Sequence, residues 1–377
     1  MGYYGFVDKK ELNDLFIRFV QSNFATPRYD KIAEFANALS DYVRTYIEEE
    51  AFARQILPPR AITLAETLLT GFGGTRYVLR TIDRYRVNAL VVDDQGNPTA
   101  EFYQGEDYRI VFNFYETPEY TVDTRKARIA FPIDFHALLE EKIAFEMARM
   151  EDRQLMRLVF TALGYDLNTG QLSPNYGTKN ILDLRGYYGT SVSKGITPEM
   201  ITLAKQRFES YVVNRNETNP ANFQWKPRTH KLYPTVILMN TYDAEDFTEW
   251  SQSDIGSILR SEFFEAYNRP TIKQLRRVVT LNTTLVPRGR MYLFTDPQYL
   301  GHFFILEEAK TLVDLNVYNH YFRIKGEAYW GMNIGNVEAI LEVVFTPRGS
   351  QAPASLPPLT LPEETVRAVT TTTASGE

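Results

Sequence analysis

Three arginines, Arg149, Arg153 and Arg157, stand four residues apart in the run EMARMEDRQLMR. On a helix this spacing makes a slowly drifting stripe along one side, with Lys142 and Glu146 on the same line. Such a stripe can neutralise phosphates, or it can form ion pairs on a solvated or intersubunit face. The second reading weighs more, because charge runs most often serve solvation.

The remaining candidates for chemistry are sparse. The four histidines are His136, His230, His302 and His320. His136 and Glu140 could face one metal from a helix, but no second His lies near them in sequence, so no metal ligand is assigned. Adjacent acids such as Glu140 with Glu141, or Glu307 with Glu308, point about 100° apart on a helix and read as solvated charges rather than a catalytic pair. GFGGT at Gly71 to Thr75 lacks the Gly-Lys-Ser/Thr ending of a phosphate loop and the spacing of a dinucleotide fingerprint, and reads as a hinge. No Ser sits in a Gly-x-Ser-x-Gly elbow. The sequons at Asn216 and Asn282 mean little without a secretion signal. With no Cys, thiolate sites and Cys nucleophiles are excluded. No catalytic, cofactor-binding or metal residue is expected, and neither is an enzyme.

Composition agrees with a folded structural protein. The chain has 377 residues, 44% hydrophobic and 23% charged, close to globular averages and long enough for two domains or one elaborated one. A net charge of −6 argues against a generic nucleic-acid binder. No window approaches the roughly 18 apolar residues of a membrane span, and the start lacks a basic and then apolar leader, so no membrane partner is expected. Aromatic residues reach 14%, with 24 Tyr and 24 Phe, which favours extensive buried or intersubunit surface.

The elements that must carry these residues follow from periodicity. KKELNDLFIRFVQSNF places Leu12, Leu15, Phe16, Phe19 and Val20 at helical spacing. A second amphipathic helix begins at Tyr29, with Ile32, Phe35, Leu39, Tyr42, Val43 and Ile47 on its apolar side, and continues to the stop at Pro58 and Pro59. From Arg76 the pattern turns strand-like, with a tip at DQGNP and a return strand in which Ile110, Phe112 and Phe114 alternate with Arg109, Val111, Asn113 and Tyr115. A long projecting hairpin is expected, and a hairpin of that kind must lie against another surface. Next comes a stretch from Asp134 to Gly164 without Pro or internal Gly, rich in Ala, Leu, Met, Glu and Arg. Asp134 is its candidate N-cap and Gly164 its stop. About 29 residues at 1.5 Å each give a rod of about 44 Å, with apolar groups such as Leu139, Ile143 and Met147, and Phe145, Met156 and Leu163, spread over several sides. Thr197 with Pro198 starts a further helix carrying Met200, Ala204, Phe208, Tyr211 and Val212. TVILMN leads through Asn240, a candidate cap, into YDAEDFTEW, and strands RRVVTLN and RMYLFTD flank a VPRG turn before the closing strands to VEAILEVVF. The order is α+β rather than regular βαβ. The tail from Thr346, rich in Pro, Ser, Thr and Ala, is expected to be extended.

PTVILMNTYDAEDFTEW, RRVVTLNTTLVPRGRMYLFTD and GEAYWGMNIGNVEAILEVVF, in this element order, resemble the major capsid protein of tailed double-stranded DNA bacteriophages, the Hong Kong 97-type fold. The resemblance covers roughly Ala61 to Phe345. It implies a helical N-terminal arm over 1–60, an extended-loop hairpin over 61–127, a peripheral domain over 128–220 and 330–346 with a spine helix at 135–163, an axial domain over 221–329 and a flexible tail over 347–377. In that fold the loop tip, here Asp93, Asp94, Gln95, Gly96, Asn97 and Pro98, lies across a neighbour. Because the tip holds no Lys, noncovalent locking is expected. The chain also begins without the long, highly charged coiled coil that serves some relatives as a fused scaffold.

The function so implied is a virion shell of hexamers and pentamers, assembled in the host cytoplasm around non-specifically held double-stranded DNA. The implied partners are further copies of the chain, a separate scaffolding protein or none, a portal, and, where the N-terminal arm or the tail does not lock the shell, a decoration protein. An encapsulin-like compartment, an enzyme on an α+β scaffold and a ring-forming adaptor or tail component are the rival readings.

Overall fold

The computed structural model describes residues 29–70, 75–82, 106–123, 134–172, 180–189, 191–212, 219–227, 232–249, 274–275, 278–316, 321–351, 353 and 359. The apolar run at Leu12 to Val20, the loop tip Asp93 to Pro98, His230 and His320 lie outside them.

Helix α1 runs over Tyr29–Glu50 and buries Phe35, Leu39, Val43 and Ile47. The expected continuation to Pro58 is interrupted at Ala51, which is extended (φ −74°, ψ 113°), before a short α2, Phe52–Ile56. The cause is tertiary: the Asp152 carboxylate accepts the Ala53 N–H at 2.9 Å and so caps a new helix start. The helical segment stops at Ile56, just before Pro58 as expected, and Pro59 opens strand β1, Pro59–Ala61. Strands β2 (Leu68–Thr70), β3 (Thr75–Ile82) and β4 (Glu106–Val111) form an antiparallel three-stranded sheet, the base of the expected hairpin. They are followed by β5, Asn113–Glu116, and β6, Tyr120–Asp123.

The long helix is present as α3, Asp134–Leu163, 30 residues. It begins on the residue expected to cap it and ends at Gly164 with φ 89°. Its mixed faces have a simple geometry. The buried residues Ile143, Met147, Glu151, Leu155, Val159 and Leu163 recur every four, and four steps overshoot a 3.6-residue turn by about 40°. The buried stripe therefore spirals around the rod. The helix meets α1 and one sheet along its length and reaches a second sheet at its far end. Phe145, off this buried stripe, is 46% exposed.

After β7 (Ile181–Asp183), α4 spans Pro198–Glu209, with the Thr197 hydroxyl accepting the Met200 N–H. Tyr211 and Val212, expected on this helix, instead belong to β8, Ser210–Val212, paired with β9, Trp225–Pro227. Strand β10 (Val236–Met239) enters α5 (Thr241–Ala244), where the Asn240 side chain accepts the Tyr242 N–H at 2.9 Å as expected. Then come β11 (Gln274–Leu275), β12 (Val278–Asn282), β13 (Arg290–Phe294), α6 (Pro297–Leu300), β14 (Gly301–Asn316), β15 (Tyr321–Ile334) and β16 (Ile340–Val344).

Two larger sheets result. In the first, β1, β14 and β15 lie side by side, and β5 and β6 both pair with the far edge of β15. The second has the order β11-β12-β10-β13-β16-β7. Strands β12 and β13, whose sequences suggest direct pairing around the VPRG turn, are separated by β10, parallel to the first and antiparallel to the second. Strand β14 packs chiefly on α1 and β15 on the spine helix, while β16 joins the sheet of β10 and β13.

The second sheet is apolar on both faces, because both are covered. Val236, Leu238, Tyr292, Phe294 and Ile340 face the spine, whereas Ile237, Met239, Leu293, Leu341 and Val343 face α4. This explains why VILM, RMYLF and ILEVV read as continuous apolar runs instead of alternating ones.

Candidate assembly surfaces

The base of the hairpin is bound to the body on one side only. Directly opposed residues in an antiparallel ladder share a face, and the register puts Leu68 beside Tyr77 and Tyr77 beside Val111. Leu79 and Arg109 continue that face. Leu68, Leu79 and Val111 are 49%, 48% and 38% exposed, and the Arg109 guanidinium lies 4.6 Å from the Tyr77 ring centre. On the opposite face Val78 and Ile110 are buried with Ile62, Phe112 and Phe304. Phe114, expected to continue the buried side of the return strand, is instead 52% exposed. The ladder breaks after Val111 and β5 pairs with β15, which stacks Tyr115 on Trp330 at 3.9 Å and leaves Phe114 beside Tyr329 on the outer side.

Two contacts fix the height of this base. Tyr108 hydroxyl bonds the Nδ1 of His302, which stacks on Phe304. Burial, with Arg80 and Arg60 nearby, holds the His302 imidazole below its ordinary range and therefore neutral. Gly331 is the second contact: a Cβ there would stand 2.4 Å from the Val111 carbonyl oxygen. Gly331→Ala should therefore lift β4 from β15, costing about 1–3 kcal/mol. Hydrogen exchange should speed up across 75–82 and 106–111 while α4 keeps its protection.

The basic stripe is half-buried at all three positions. Arg149 stacks over Phe145 at 5.7 Å, Arg153 reaches Glu146 at 4.0 Å, and the Arg157 carbonyl accepts the Thr161 hydroxyl. The ion pair is loose and part-exposed, and contributes little to stability.

Several functional groups escaped the sequence. Glu308 was expected to be solvated, yet it is half-buried on β14 and stands 3.6 Å from Arg54. Arg54 forms a two-pronged pair with the buried Glu151 at 2.8 and 2.9 Å. Burial, helped by Glu151, pushes the neighbouring Asp152 carboxyl up to about 8 against the pull of the Ala53 and Phe52 N–H groups. A second buried cluster joins Arg290 to Glu342, with the Tyr165 hydroxyl donating to Glu342 at 2.6 Å and the Tyr292 hydroxyl at 3.2 Å. The signal for it was a charge inside each of two apolar strand runs, Arg290 before MYLF and Glu342 within ILEVV. Among the described residues no group of three or more His, Asp or Glu could hold a metal ion, and no helix is long and apolar enough to cross a membrane.

These surfaces define an α+β protein with one doubly covered sheet and a three-stranded sheet that is covered on one face. No family model and no curated protein matches the chain. Solved structures similar to it include the capsid asymmetric unit of cyanophage Pam1, with 10% identity, 73% of this chain and 86% of that one covered, and a TM-score of 0.44. The capsid of a native GTA particle shares 14% identity over 78% of this chain and 90% of that one, at 0.45. The holo-SrpI encapsulin complex of Synechococcus elongatus PCC 7942 shares 10% over 81% and 91%, at 0.42.

Proposed function

We propose that the chain is the major capsid protein of a tailed-phage type of virion, a structural subunit that assembles into hexamers and pentamers enclosing double-stranded DNA. The observation that carries this reading is the apolar outer face of Leu68, Tyr77, Leu79 and Val111 on a sheet whose other face is anchored in the body. Such a face is stable in water only at a cost and is suited to lie across a neighbour, where many modest contacts add by multivalency. The tip residues Asp93 to Pro98 extend that contact without a covalent link. The peripheral and axial divisions, the scaffolding protein, the portal and the decoration protein belong to the same reading, as do residence in the virion and assembly in the host cytoplasm.

Expression of the chain with its neighbouring genes should give closed shells by sedimentation and negative staining; a monomer under every condition would sink the proposal. Replacing Arg149, Arg153 and Arg157 together by Ala should leave the subunit folded and lower shell yield or DNA retention. A variant that assembles and packages normally would make the stripe a solvated face. Shells that fill with protein rather than nucleic acid would favour the encapsulin-like compartment.

A further inference from the structure

The junction between α1 and α2 gathers more acid than base. From α1 come Tyr46 and the exposed Glu48, Glu49 and Glu50, and from β14 comes Glu308. The spine helix brings Arg149, Glu151 and Asp152, and α2 brings Arg54. Strand β12 and the residues after it, Val279 to Leu285, bring no ionisable group. Both bases are already engaged. The Arg54 guanidinium grips Glu151 at 2.8 and 2.9 Å and stands 3.6 Å from Glu308, while that of Arg149 is turned onto Phe145. Asp152, 8% exposed, has no ion pair among the described residues. Its partners are the backbone N–H groups of Ala53, at 2.9 Å, and Phe52.

A buried carboxylate without a counter-charge is costly, and the neighbouring Glu151 adds repulsion. A carboxyl that keeps its proton escapes both costs, and its carbonyl oxygen still accepts an amide N–H. Burial, with Glu151 adding to it, accordingly holds the Asp152 proton up to about 8 against an ordinary value of 3.8. What this carboxyl secures is a break in the chain: α1 ends at Glu50, Ala51 is extended, and α2 restarts on the Asp152 cap. Water has a route to it, because Asp152, Glu49, Glu50 and Phe52 line a cleft of about 660 Å³.

We propose that Asp152 is a proton-operated latch: its neutral carboxyl clamps the start of α2 to the spine helix, and its ionisation lets α2 and the last turn of α1 open toward water. The direction follows from linkage. The closed junction keeps a proton that the open one, with Asp152 in water, gives up at the ordinary value. The open fraction therefore rises with pH, by close to tenfold for each unit between 3.8 and about 8, and levels off above that. Acid closes the latch and alkali releases it.

Hydrogen exchange on the full-length chain tests this. After correction for the intrinsic pH dependence of exchange, the opening constant of peptides spanning residues 51–57 should grow roughly fiftyfold from pH 6 to pH 8, while α4 shows no such growth. Asp152→Asn keeps a carbonyl oxygen for Ala53 but has no proton to lose, so its opening constant should stay flat over that range. Glu308→Gln should retain the slope. A flat profile in the unmodified chain would overturn the latch. A slope that survives Asp152→Asn, or vanishes in Glu308→Gln, would overturn it too, because another carboxyl of the cluster would then be the one that titrates.

Discussion

Glu342→Gln should be among the most destabilising single changes in the molecule, lowering stability by about 3–5 kcal/mol, the usual cost of stranding one partner of a buried ion pair. Glu342 is 0% exposed and Arg290 2%. Burial draws the Arg290 guanidinium down, yet the carboxylate of Glu342 overrides it and holds the group above its ordinary range, fully charged. Glutamine would leave that charge without an anion in a sheet buried on both faces. Tyr165, just beyond the C-terminal end of the spine helix, donates to Glu342 and accepts from Arg290 at 2.7 Å, so the same change also loosens the spine from the second sheet. Tyr165→Phe should cost less, about 1–2 kcal/mol. The double change Arg290→Met with Glu342→Leu removes both charges, and most of the loss should return. Urea midpoints at constant m-value decide the matter. A double variant as weak as Glu342→Gln would show that the cluster's hydrogen bonds, rather than its unpaired charge, dominate.

That cluster illustrates which information the sequence carries openly. Local devices are legible because a few adjacent residues determine them: Gly164 stops the spine, Thr197 with Pro198 starts α4, and Asn240 caps α5, all where their chemistry places them. Partnership between distant segments is not local. Nothing in RRVVTLN or RMYLFTD says that β10 lies between them, since period and propensity specify a strand and not its neighbour. The break at Ala51 was hidden for the same reason. It depends on Asp152, which caps Ala53 from 99 residues further along the chain, while the sequence around it is uniformly helix-forming. Phe114 misled because alternation assumes an unbroken ladder, and the strand changes partner after Val111. The candidate surface was half legible: the hairpin and the stripe could be read, but the apolar outer face needed the register of β2, β3 and β4.

That outer face should separate folding from assembly. In the isolated subunit Leu68, Leu79 and Val111 are already about half in water, and substitutions at such positions usually change stability by no more than about 0.5 kcal/mol. Leu68→Glu with Leu79→Glu should therefore leave circular dichroism and the melting temperature of the subunit nearly unchanged. In a shell the same carboxylates would be pressed against a neighbour and lose hydration without a counter-charge, at a cost of several kcal/mol for each contact. A shell repeats that contact at every subunit, so closed particles should disappear from sedimentation profiles and negative-stain fields rather than merely thin out. Val78→Glu provides the contrast. It places the same charge one residue away on the buried face beside Ile110 and Phe304, and should unfold the base of the hairpin in the monomer. If both variants fail in the same way, the outer face is structural. If the outer pair assembles normally, the neighbour lies elsewhere on the subunit.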